Sequence, residues 1–170
     1  MCIVLIGWIA EIRLHFRNAQ ALESKGAIPF GGTYYCCFYF FVAISLVVPL
    51  SESLLFKPFL PLPFLVDSFV ICIMVLSNII RWITIDSINQ IWTLTGFRHP
   101  NLRRWKVGLY NFLNHPEYVT RIIDSGCYWI LFGGGQYGLI VFFVLLIAAL
   151  KLMSIEDSLA TLRYDEITLE

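Results

Sequence analysis

Apolar residues fall into five runs along the chain, and turn-forming residues separate them. The first run, Met1 to about Leu14, ends among Glu11 and Arg13 and continues in an amphipathic pattern through Leu22, with Lys25-Gly26 as its stop. The second, Thr33 to Leu50, opens after Gly31-Gly32 and closes beside Pro49. The third, Phe64 to about Ile85, follows a proline-rich turn from Lys57 to Pro63. The fourth and fifth, Tyr118 to Phe132 and Tyr137 to Leu152, are separated only by Gly133-Gly134-Gly135-Gln136, a break that suits a tight helical hairpin. A helix that crosses a bilayer needs roughly 20 mostly apolar residues. The pattern therefore predicts an all-α integral membrane protein with about five hydrophobic segments and a C-terminal helical hairpin. The polar stretch Met153 to Glu170 is expected outside the bilayer. The polar end of the first run leaves two options open, a full span or an interfacial helix. That run lacks the basic flank and small-residue cleavage site of a signal peptide, so it is read as part of the mature protein.

Composition supports this reading: 58% of the 170 residues are hydrophobic and only 14% are charged, whereas soluble domains carry about a quarter charged residues. The length allows one domain, residues 1–170, with no room for a separate soluble catalytic module. Formal net charge is zero, so no basic field argues for nucleic acid. The sign of charge is nevertheless uneven along the chain. Arg13, Arg17 and Lys25 lie between runs one and two, and Arg98, Arg103, Arg104 and Lys106 between three and four. Lys151 and Arg163 flank or follow run five, and only Lys57 falls on the other side. The positive-inside rule then predicts an outside N-terminus and a cytoplasmic C-terminus. Cys2, Cys36, Cys37, Cys72 and Cys127 sit in or beside apolar stretches without paired spacing, which argues for small buried thiols rather than disulfides or a metal site.

Ionisable groups near membrane segments are costly and suggest function. The densest group runs from Gly108 through Tyr110, Asn111, Asn114, His115, Pro116, Glu117 and Tyr118 to Arg121 and Asp124. Pro116 suits the first turn of a helix and Glu117 suits its positive end. His115 and Tyr118, three apart, share a face, while Glu117–Arg121 and Arg121–Asp124 have the spacing to pair along a neighbouring stripe. A charge-satisfied helix start explains the same residues without any function. Glu156-Asp157 forms a second group just past run five, where solvated tail residues are the plainer reading. His99-Pro100 reads as a turn, His15 as interfacial, and Arg81-Trp82 as a snorkelling arginine with a belt tryptophan. The sequence shows no glycine-rich phosphate loop, Ser-His-Asp order or metal-ligand spacing.

Taken together these residues resemble the isoprenylcysteine carboxyl methyltransferase family, and more closely its bacterial branch of small membrane methyltransferases. The family centre reads Gly-Pro-Tyr-Arg-x-x-Arg-His-Pro-x-Tyr with an acid nine positions after the histidine. Gly108, Tyr110, His115, Pro116 and Tyr118 match, and Asp124 takes the acidic place. Arg81-Trp82 and Trp92 look like the branch's Arg-Trp pair and second tryptophan. Arg17-Asn18 with Lys25-Gly26-Ala27 resembles its early element, so the likeness runs from about Glu11 to Ala160.

The resemblance implies S-adenosylmethionine as cofactor, bound by Gly108, Tyr110, His115, Pro116, Tyr118 and Glu156 within a segment of about 86–118 plus the tail 153–170. His115 and Glu156 are the implied catalytic pair, with Arg81, Trp92, Arg121 and Asp124 on the acceptor side or in support. The partners implied are the lipid bilayer, in a bacterial cytoplasmic membrane, and a lipophilic or prenylated acceptor entering sideways from it. A carboxylate acceptor needs no general base; a hydroxyl does, and His115 is the first candidate. Three positions depart from the family. Its two arginines are Asn111 and Asn114 here, the basic residue four before the tail acid is Leu152 with Lys151 one position off, and the acid after the histidine is the shorter Asp. Arg121 and Lys151 are candidates to replace the missing charge. Two other readings stay open: a family member without catalysis that serves as a membrane binding or assembly module, and a small transporter or channel subunit. Oligomeric state is not legible.

Overall fold

The computed structural model describes residues 2–56, 63–88, 91–98 and 108–167, and side chains within 7–56, 63–88, 91–97 and 108–158. Lys57 to Leu62, His99-Pro100, Arg103, Arg104 and Lys106 lie outside the described residues, as do the side chains of Cys2, Arg98 and Arg163. Five α-helices account for most of the rest: α1 (Cys2–Glu23), α2 (Gly32–Leu55), α3 (Phe64–Ser87), α4 (Pro116–Leu131) and α5 (Gln136–Ile167). Among the described residues three helices are long and apolar enough to cross a membrane: α2, α3 and the Gln136–Ser158 part of α5. The all-α membrane architecture read from the sequence therefore holds. At 16 residues α4 would extend only about 24 Å, short of a hydrocarbon core of about 30 Å.

Several boundaries differ from the sequence reading. Pro49 does not close the second segment; it sits buried inside α2, which runs on to Leu55. A proline in a helix lacks one N–H donor, and interior packing, which the hydropathy pattern does not reveal, accommodates it. The tail is likewise not a separate polar stretch, since α5 continues through Met153 to Ile167. At 32 residues and about 1.5 Å per residue, α5 is roughly 48 Å long. It therefore outruns the bilayer and carries Glu156-Asp157 at the end of its apolar run.

The helices bury polar groups and expose apolar ones, the reverse of a water-soluble bundle. Phe40, Val47, Phe69, Leu76, Ile79, Ile140, Phe143 and Ile147 point outward, whereas Ser45, Ser77, Thr84, Thr120 and Ser125 are buried between helices. Small hydroxyl residues let helices approach closely and bond across the gap: the Ser45 and Ser125 hydroxyls are 2.9 Å apart, and Ser77 Oγ donates to the Thr120 carbonyl at 3.0 Å. The same inversion corrects the reading of the thiols. Cys36, Cys37 and Cys72 are exposed on the apolar exterior and only Cys127 is buried, and these four described cysteines are all free.

α2 packs along α5, and α3 along α4. α4 and α5 are joined by the expected hairpin, whose Gly133 and Gly134 both have positive φ (93° and 65°). At that end of the bundle Glu52 of α2 reaches the start of α5 and accepts from the backbone N–H groups of Tyr137 and Gly138 at 2.9 and 2.7 Å. It satisfies donors that a helix start leaves open and places negative charge at the positive end of the helix. The opposite end of the bundle gathers the C-terminal ends of α3 and α5 and the N-terminal ends of α2 and α4. It also carries two short strands that the sequence pattern did not announce. β1 (Ile28–Phe30) and β2 (Gly96–Arg98) pair antiparallel, with Phe30 opposite Gly96. Three-residue strands offer too few positions for an alternating pattern to register.

Candidate functional site

The residues singled out in the sequence separate into two clusters, one at the end of the bundle and one buried between helices. The first forms where α4 begins. Gly108–Asn111 makes a single 3-10 turn, and His115 precedes Pro116, which takes the first helical position. There its missing N–H removes nothing from the helix ladder. His115 and Tyr118 share a face as their spacing predicted, with ring centroids 5.7 Å apart. The end of α5 comes to meet them. His115 Nδ1 lies 2.9 Å from Glu156 Oε2, and its Nε2 lies 3.1 Å from Asp157 Oδ1. The Tyr118 hydroxyl donates to Glu156 Oε1 at 2.6 Å. The Tyr35 hydroxyl of α2 donates to that same oxygen.

Glu156 is thus held from three sides, by α2, α4 and the residue preceding α4. Phe38 supports Tyr118 from behind, edge to face at 5.1 Å, and both rings are buried. Tyr110, half-buried in the 3-10 turn, has its phenol pKa raised by burial and then by Glu117 and Glu156. Desolvation alone would lower the pKa of His115. The hydrogen bonds and charges of Glu156 and Asp157 outweigh it, and the imidazole ends above its ordinary value. Two carboxylate neighbours thereby make the ring more basic than a free imidazole. Asn111 and Asn114, at the positions of the two family arginines, are both exposed.

A second cluster lies deeper, between α1, α3 and α4. Arg81 Nε is 3.1 Å from Glu11 Oε1 and its Nη1 is 2.7 Å from Asp124 Oδ2. Arg121 pairs with the other oxygen of Glu11 and stacks over Tyr39 at 4.9 Å. Asn78 bonds to both Asp124 oxygens at 3.2 Å. All four charged residues are buried, Glu11 and Arg81 to 2% exposure, and two cations balance two anions. The 3.1 Å approach of Glu11 Oε1 and Arg81 Nε lacks hydrogen-bond alignment, so it is a charge contact rather than a bond.

This geometry replaces several expectations. Arg121 turns away from both Glu117 and Asp124 on its own helix and pairs with α1, while Asp124 pairs with α3. Glu117 instead accepts from Trp92 Nε1 at 2.7 Å, and the Trp92 carbonyl accepts from Asn18 at 2.7 Å. In a medium of low dielectric, partners on other helices are better neutralisers than an exposed stripe along one helix. Arg81 does not snorkel; it is among the most buried residues of the chain. Arg121 is committed to Glu11, and Lys151 is exposed on α5. His15 is half-buried, its Nδ1 accepting from the Leu94 N–H at 3.2 Å. Sequence reasoning passed over Glu11, Tyr39 and Tyr35. An acid inside an apolar run was the available signal for Glu11; the two tyrosines carry no signal that separates them from interfacial aromatics. Among the described residues no group of His, Cys, Asp or Glu is arranged to hold a metal ion.

No curated protein and no solved structure matches this chain. The model of the isoprenylcysteine carboxyl methyltransferase (ICMT) family matches residues 69–161, a stretch that contains Arg81, Trp92, His115, Tyr118, Asp124 and Glu156. More than half of the sequence is covered, and the chain belongs to the ICMT family.

Proposed function

We propose that this protein transfers a methyl group from S-adenosylmethionine to a hydroxyl-bearing lipophilic acceptor at the cytoplasmic face of a bacterial inner membrane. The observation that carries the reading is the convergence of His115, Tyr118 and Glu156, within the family-matched stretch, on one end of the bundle. The groups present suit a cationic cofactor. Glu156 and Asp157 supply negative charge and half-buried Tyr110 an aromatic face, a pairing that receives a sulfonium or ammonium, while buried Tyr118 serves from behind through its hydroxyl on Glu156. Gly108, Tyr110, His115, Pro116, Tyr118 and Glu156 would hold it, and the chemistry it supplies when bound is an electrophilic methyl group.

What remains for the chain is alignment and exclusion of water. His115, whose basicity the two carboxylates raise, is the candidate to take up the acceptor proton, and Glu156 and Asp157 orient its ring. A carboxylate acceptor is disfavoured because Asn111 and Asn114 stand at the arginine positions and Arg81 and Arg121 are neutralised by Glu11 and Asp124. The basic residues between runs one and two and between runs three and four of the sequence support the cytoplasmic placement.

The decisive test is calorimetric binding of S-adenosylhomocysteine to protein in nanodiscs. Micromolar binding that is lost in both His115→Ala and Glu156→Ala is expected. Absent binding by folded protein would replace this reading with that of a non-catalytic binding module, for which Asn111 and Asn114 are the argument. Cysteine labelling that places residue 3 in the cytoplasm would reverse the orientation.

A further inference from the structure

The family-matched stretch begins at residue 69, yet one of the hydroxyl groups on Glu156 comes from α2, well before it. Tyr35 is 4% exposed and packs in the main apolar core with Phe38, Val42, Tyr118 and Leu152. Its ring meets Phe30 of β1 edge to face at 6.2 Å. The small sheet closes over the same ring. A Cβ placed on Gly96 of β2 would come within 2.3 Å of the Phe30 ring and 2.6 Å of the Tyr35 hydroxyl, so the missing side chain lets the strand lie against both. Glycine permits such an approach of backbone to a neighbour where no other residue does. The phenol is therefore fixed from two sides, with its hydroxyl on Glu156 Oε1 beside that of Tyr118, while His115 faces Oε2.

We infer that Tyr35, seated against Gly96, is a positioning residue that fixes the rotamer of the Glu156 carboxylate and so makes α2 and the β1–β2 clasp part of the site. The inference rests on the proposed role of Glu156 in binding the cofactor. Two phenols on one carboxylate oxygen leave it a single orientation, and a bond from a neutral donor to a charged acceptor is worth more than one between neutral groups. Tyr35 acts through Glu156 rather than on the ligand.

Its test is a double-mutant cycle on S-adenosylhomocysteine affinity, since residues that act as a unit are non-additive. Tyr35→Phe keeps the ring and its packing and is expected to weaken binding about tenfold in the otherwise wild-type chain. In Glu156→Gln, which lacks the ionised acceptor, the same substitution is expected to cost less than about twofold. Equal losses in both backgrounds would make Tyr35 a packing residue and overturn the inference, as would no loss in either.

If the wild-type chain fails to bind the ligand, the proposed function falls, and the inference is decided by NMR titration of His115. Its ring is faced by Glu156 and Asp157 of α5, with Tyr118 beside it on α4, Tyr35 of α2 behind Glu156, and Glu117 two positions on in sequence. Tyr35→Phe is expected to move the midpoint by about half a unit in the wild-type background and to leave it in place in Glu156→Gln. An unmoved midpoint in both would overturn the inference.

Discussion

Two clusters of charge stand within one helix of each other and are built on opposite terms. The Glu11–Arg81–Arg121–Asp124 group is sealed between helices and neutral as a set. The His115–Glu156–Asp157 group lies at the end of the bundle, and Glu156 and Asp157 outnumber their one imidazole partner. Its carboxylates are held by hydroxyls and imidazole, with Asp157 reaching solvent at 44% side-chain exposure. Charge that cancels in the dark interior joins helices and has nothing left to offer a ligand. Charge that is oriented, partly accessible and not cancelled is where a cationic ligand gains free energy. The family match covers the whole of the His115–Glu156–Asp157 group and all but Glu11 of the sealed one, so membership alone does not separate them; the balance of charge does.

The sharpest way to break this contrast is to remove one member of the sealed cluster. Arg81→Ala or Glu11→Ala leaves a buried charge without its partner and is expected to cost about 3–5 kcal/mol, read as a large drop in melting temperature in detergent. The pair Glu11→Leu with Arg121→Met is expected to recover most of the loss of either single change, since apolar replacement of an ion pair is often neutral. If the double variant melted as low as the singles, the cluster would be more than a balanced joint.

Next in size, Glu156→Gln is expected to lower S-adenosylhomocysteine affinity at least about tenfold, or roughly 1.4 kcal/mol, with a far smaller change in melting than Arg81→Ala. A reversal of that ranking would undo the assignment of roles. The smallest effect concerns pH. The folded-state pKa of His115 is raised, so its contribution to stability is fully present below the unfolded value of about 6.5 and is lost as pH rises through the folded value. Melting followed from about pH 6 to about pH 9 should show a decline that His115→Gln reduces, the part that remains belonging to Glu117, whose carboxyl burial pushes up to about 7.

How much of this was legible beforehand follows from the kind of interaction involved. Spans, the glycine hairpin, Pro116 at a helix start and the shared face of His115 and Tyr118 are local in sequence, and spacing reveals them. The partners of Arg121 and Asp124 were misread because helical spacing offers local pairs and is silent about α1 and α3. The joining of Glu156 to His115 could be anticipated only through likeness to the family, since 41 positions separate them. Tyr35 and Gly96 were invisible because their meaning lies in a single close approach between a strand and a ring. Pro49 misled because a proline in a buried helix is tolerated where neighbouring helices pack against it.

Glu52 gives the bundle a mechanical property. It ties α2 to the first amides of α5 at one end, and Tyr35 ties α2 to Glu156 of α5 at the other. Contacts at both ends oppose sliding and splaying of the pair. Both ends of the α2–α5 seam are therefore closed by a side-chain contact, and the two helices are joined along their shared length.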